Sequence, residues 1–140
     1  MAAIAPVLVA HAGQLNLGRL RNELAALGLE NRLAWAVEST LEAIKLESAQ
    51  VLSREWRLKY RRAALIIEQF FRPWLITSRP AGLDPTQPTP YDVLDPEITS
   101  PEGLKEVVAH LSPIAQRWRI ATGLEIDDFV AALRGARGAD

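Results

Sequence analysis

The chain has 140 residues, 49% of them apolar and 24% charged, with a formal net charge of −1 and no cysteine. That length and apolar content suit a single domain with a hydrophobic core and exclude a disordered chain. The lack of thiols excludes a disulfide framework and a thiolate metal site, and the near-zero charge gives no global pull toward nucleic acid or an anionic membrane.

Residues 1–13 form an apolar arm, with Ile4, Val7, Leu8 and Val9 around Pro6 and no Lys or Arg. The arm lacks the basic region of a secretory signal and is too short to span a bilayer, and no later stretch reaches membrane length. The expectation is a cytoplasmic protein, with an Ala, Leu and Arg bias that is bacterial in style. A first helix is predicted from Asn16 to Leu27, because Leu17, Leu20, Leu24 and Leu27 recur at three- and four-residue steps. Asn16 suits the N-cap and Gly28 the stop.

Residues 29–72 contain neither glycine nor proline. Leu33, Val37, Leu41 and Ile44 make one apolar stripe. Leu52, Trp56, Tyr60, Ala63, Ile67, Phe70 and Trp74 make a second, with the spacing of a helix packed on other helices. Two helices are expected, near 30–47 and 51–72, with a break at Ser48 or Ser53. Pro73 ends the block within a turn.

Six of the nine prolines fall within 79–101. This stretch is expected to be extended, and Tyr91, Val93, Leu94 and Ile98 suggest that it docks across the bundle. Ser100-Pro101-Glu102 and Ser112-Pro113 are helix starts, the first running through Leu104, Val107, Val108 and Leu111. The second is expected to carry Ile114, Trp118 and Ala121 and to stop at Gly123. A last helix is predicted from Glu125 to Leu133, released by Gly135. The predicted fold is all-α, a compact bundle of five to six helices. Its long helical block is 30–72, inside an N-terminal part 14–78. The connector is 79–100 and the C-terminal helices occupy 101–135.

Charge is unevenly distributed. Residues 54–79 hold seven basic and two acidic side chains, a local +5, and residues 84–106 hold six acidic and one basic, a local −5. Arg54, Arg57, Lys59, Arg61 and Arg62 cluster on the helix that also carries Trp56 and Tyr60. Arginines interleaved with aromatics suit phosphate contact and base stacking, and arginine also favours protein interfaces. The alternatives are a solvated helix face, or a face covered by the acidic segment. Trp35 lies off its stripe and Trp118 is flanked by Arg117 and Arg119, so both are candidate partner anchors.

No catalytic constellation emerges. His11 and His110 are far apart, no glycine-flanked serine elbow or phosphate loop is present, and no Glu-x-x-His pair suits a di-iron bundle. No metal, cofactor or small-molecule substrate is expected. The leading expectation is a non-enzymatic helical module for protein–protein interaction or assembly, by self-association or with another protein. The alternative is a nucleic-acid-binding protein using the basic helix 54–62: a small regulator, an antitoxin or a ribonucleoprotein subunit.

Overall fold

The structure, a computed structural model, describes residues 1–50, 52–75 and 91–138, apart from the Trp74 side chain. Among these lie seven helices: α1 (Ile4–His11), α2 (Leu17–Ala26), α3 (Glu30–Ser48), α4 (Arg54–Leu75), α5 (Pro101–Ala109), α6 (Pro113–Trp118) and α7 (Ile126–Arg137). A two-residue strand β1 (Asp92–Val93) pairs in parallel with β2 (Ile120–Ala121). The all-α bundle is thus observed, with more helices than expected. No helix among the described residues is long and apolar enough to cross a membrane.

The N-terminal arm is itself a helix. Pro6 falls in its first turn, where the absent N–H breaks no intrahelical bond. Ala5, Leu8 and Ala12, at steps of three and four, are buried against α3, α4 and α7. Of the arm's apolar residues, Leu8 belongs to the core, Ile4 and Val9 pack against it, and Val7 is 48% exposed. α2 matches expectation: the Asn16 side chain accepts from the Arg19 N–H at 3.0 Å, and Gly28 takes φ +72° after the helix.

α3 is the axis of the fold, with α1, α2, α4, α6 and α7 around it. Leu33 through Val37 are all buried, as are Ser39, Thr40, Ala43, Ile44 and Glu47. A helix enclosed on nearly all sides has no single apolar stripe. This corrects the reading of Trp35, which is 1% exposed and meets Phe129 of α7 edge-to-face at 5.4 Å. It is a core residue, not a partner anchor.

The break between the long helices falls where expected. The Ser53 hydroxyl accepts from the Trp56 N–H at 3.3 Å, and α4 ends two residues past Pro73. Leu52, Tyr60, Ala63 and Ile67 are buried as predicted, but the next core residue is Phe71, while Phe70 is 51% exposed. Three turns of α-helix span about 10.8 residues, so Phe71 stays in phase with Tyr60 and Phe70 does not. Trp74 belonged to the same predicted stripe, and its side chain lies outside the described residues.

The described end of the proline-rich segment docks, as its apolar residues suggested; residues 79–90 lie outside the described residues. The Asp92 N–H donates to the Arg119 carbonyl at 2.8 Å and the Leu94 N–H to the Ala121 carbonyl at 2.9 Å. This pairing overturns the expected helix up to Gly123. α6 stops at Trp118 because Arg119 turns left-handed, at φ 57° and ψ 47°. Arg119 is held there by its Nη1 donating to the Tyr91 hydroxyl at 2.9 Å, with the guanidinium 5.3 Å from the Tyr91 ring centre. The Asp95 carboxylate then accepts from the Thr122 hydroxyl at 2.7 Å and the Gly123 N–H at 2.6 Å.

Both serine caps form: Ser100 accepts from Gly103 and Ser112 from Ala115. α7 begins with a reciprocal capping pair between Glu125 and Asp128 and runs one turn past the expected Leu133 stop, through Gly135. Tertiary contact outweighs the glycine there, because Arg134 and Arg137 reach the buried Glu47 carboxylate of α3.

Candidate functional site

α4 divides into two faces. Tyr60, Ala63, Ile67 and Phe71 face the core, and the helix packs on α3 and α1. The outward side carries Arg54, Leu58, Arg61, Arg62, Leu65 and Arg72. Leu58 and Leu65 stand seven residues apart, hence on one face, and are 54% and 59% exposed. They border a shallow depression with Arg61, Arg62 and Ile66. Leu58, Leu65 and the adjoining Ile66 thus form an apolar strip between the arginines of this face.

The five basic residues singled out by sequence are all exposed. Lys59 pairs with Glu55 at 3.2 Å and lies 4.6 Å from the Trp56 ring centre. Arg54, Arg57, Arg61 and Arg62 form no ion pair among the described residues. The acidic segment does not supply them with its first two described carboxylates. Asp92 instead accepts from Arg32 of α3 through two bonds of 2.6 and 2.8 Å, which raises the Arg32 guanidinium pKa further above its ordinary value. Asp95 is committed to Thr122 and Gly123.

The aromatics do not join the basic face. Tyr60 is fully buried, and Trp56 is half-buried beneath Lys59. Trp118 is also fully buried, which corrects its role as an anchor. Its indole N–H donates to the Glu38 carboxylate, which also accepts from Arg117 Nη1 at 2.8 Å. Flanking arginines suggested a surface position, yet the backbone turn at Arg119 carries Trp118 inward against α3.

A second constellation escaped sequence reading. Glu47 is 0% exposed and is held by Arg134 Nε at 2.7 Å and by Arg137 Nη2. The buried Tyr60 hydroxyl lies beside this group with no well-formed hydrogen bond. Burial pushes the Tyr60 pKa above the usual tyrosine value, Arg137 pulls it down, and the Glu47 charge raises it. The signal was helical phase: Val37, Thr40, Ala43 and Glu47 recur at steps of three and four. An acid on a buried face requires a buried counter-charge.

The histidines lie apart from these features. His11 is exposed with Nδ1 3.3 Å from the Gln14 side-chain oxygen, and His110 is exposed at the end of α5. No three His, Asp or Glu side chains converge on a metal-sized site among the described residues. Compared with known proteins, the chain matches no family model, no curated protein and no solved structure.

Proposed function

We propose that this protein is a non-enzymatic helical interaction module whose outward α4 face docks an acidic segment of another protein. The observation that carries the reading is the pair Leu58 and Leu65, each more than half exposed among arginines without ion-pair partners in the described chain. Burying the exposed halves of Leu58, Leu65 and Phe70 contributes roughly 1 kcal/mol apiece. That sum falls short of the roughly 4–15 kcal/mol that association costs. The arginines must therefore contribute through charge-assisted bonds to carboxylates, and affinity falls as salt rises. A second copy docking face to face would set arginine against arginine, so the reading favours an acidic partner over a symmetric dimer.

Light scattering on chromatographic fractions of protein purified from its source tests this. The expected result is a co-eluting protein that is lost from the Leu58→Glu/Leu65→Glu variant while its circular dichroism is unchanged. A clean monomer with nothing co-eluting refutes the reading, as does a partner retained by that variant.

The unpaired arginines also support a nucleic-acid reading. Against it, Tyr60 is buried and Trp56 is half-buried beneath Lys59, which leaves Phe70 as the exposed ring of α4 among the described residues. Retardation of nucleic acid at low salt that is abolished by Arg57→Ala/Arg61→Ala but survives Leu58→Glu/Leu65→Glu would favour this second reading.

A further inference from the structure

A cleft of about 310 Å³ opens where α4 meets α1 and α7, on the flank that turns toward the N-terminal helix. Pro6 and Val9 of α1, Ile66 of α4 and Leu133 of α7 give it apolar walls. Lys59 and Arg62, one turn apart on α4, also line it and are its ionised lining groups among the described residues. Gly13 makes room for this arrangement: a Cβ there would lie 3.1 Å from Arg62 Nη2 and 3.6 Å from Ile66 Cδ1. The guanidinium thus folds back over the glycine beside the apolar wall, with no carboxylate paired to it among the described residues.

We propose that this cleft binds a small apolar carboxylate, its tail against Val9, Ile66 and Leu133 and its charge between Lys59 and Arg62. The volume reaches the lower range of small-molecule sites. An apolar body in an apolar cleft supplies affinity, and the two cations select the sign of the head group. Arg62 contributes a planar fork suited to a carboxylate. Lys59 is held by an exposed pair with Glu55 and by the Trp56 ring, and the exposed pair gives way readily to a better placed anion. The site goes beyond the docking role; Arg62 and Ile66 border both surfaces, but Leu58 and Leu65 do not line the cleft, so the two are tested apart.

The test is two-dimensional NMR of the full chain titrated with octanoate, 1-octanol and octylammonium, which share one tail. Octanoate is expected to shift the amide signals of residues 9–14 and of Lys59, Arg62, Ala63 and Ile66, which line the cleft. Octylammonium should bind about tenfold more weakly or worse, the loss expected when charge-assisted bonds are replaced by repulsion. Lys59→Gln/Arg62→Gln should weaken octanoate by a similar factor. Gly13→Leu is the decisive variant, because Gly13 lines the cleft and a Cβ there would meet only the side-chain ends of Arg62 and Ile66. It should abolish octanoate binding yet still capture an α4 partner. Equal binding of the three probes overturns the proposal. So do shifts centred on Leu58 and Leu65, or octanoate affinity unchanged in Gly13→Leu or in Lys59→Gln/Arg62→Gln.

Discussion

Truncating Glu47 to alanine tests how α7 is held to the bundle. Glu47 is buried in the last turn of α3, where the negative end of the helix dipole opposes a carboxylate. It is tolerable there only because Arg134 and Arg137 neutralise it. The two partners differ in exposure. The Arg134 side chain is 58% exposed, so water replaces its lost partner and its share is at most about 1 kcal/mol. The Arg137 side chain is 12% exposed and is left as a nearly buried charge. Stranding a buried charge costs about 3–5 kcal/mol. Arg137 sits at the end of α7 and gains some relief by fraying, so the expected loss lies near about 3 kcal/mol, at the lower end of that range. For a chain of this size that lowers the melting temperature by about 12 °C. Urea unfolding followed by circular dichroism, for wild type, Glu47→Ala, Arg137→Ala and the double variant, measures it. The double variant should be little worse than either single one, with a coupling of about 2 kcal/mol. A Glu47→Ala cost under about 1 kcal/mol, typical of a surface pair, or strictly additive singles, refutes the reasoning.

Three further outcomes follow from the same structure. Tyr60→Phe should change stability little at neutral pH, because the hydroxyl forms no well-formed bond. The folded pKa of Tyr60 is raised above its ordinary value, so its contribution is present below about pH 10 and lost as pH climbs toward the folded value. The wild-type urea midpoint should then drop above about pH 10 more steeply than that of Tyr60→Phe, and parallel curves would contradict this. At the left-handed turn, Arg119→Ala and Arg119→Gly both lose the Tyr91 contacts. Alanine should be less stable than glycine by about 1–2 kcal/mol, the cost of that conformation for a side chain, and equal midpoints would speak against it. Trp35→Ala should cost about 3–5 kcal/mol, and a double-mutant cycle with Phe129→Ala should return a coupling of about 0.5–1.5 kcal/mol from the edge-to-face pair.

The helical class, the start and stop of α2, the two long helices and the Ser100 and Ser112 caps were legible because each depends on residues within a turn or two of one another, while the break before α4 was left between Ser48 and Ser53. Helical phase, a hydroxyl before the first turn and a glycine after the last are local facts. The basic face was legible for the same reason: charges at three- and four-residue steps share a side of any helix. Its apolar half was not, since exposed leucines look like core leucines until the neighbours are placed. Leu58 and Leu65 belonged to no predicted stripe, and that was the available clue.

Local pattern therefore settled most of the helices and where they begin, but not α1, read as an apolar arm, nor the end of α6, expected at Gly123 and found at Trp118. Packing decided the rest. α3 lies at the centre, which turned Trp35 from an off-stripe residue into core. The chain reverses at Arg119 because residues 92–94 supply a strand for 120–121, and this carried Trp118 inside. α7 continues through Gly135 because Glu47, nearly ninety positions away in sequence, requires its arginines. Helical phase marked Glu47 as facing inward, but hydrogen bonds and ion pairs between distant segments leave no trace of the partner in either segment alone. A buried charge, a strand two residues long and an open leucine ridge thus appear only once the helices are packed together.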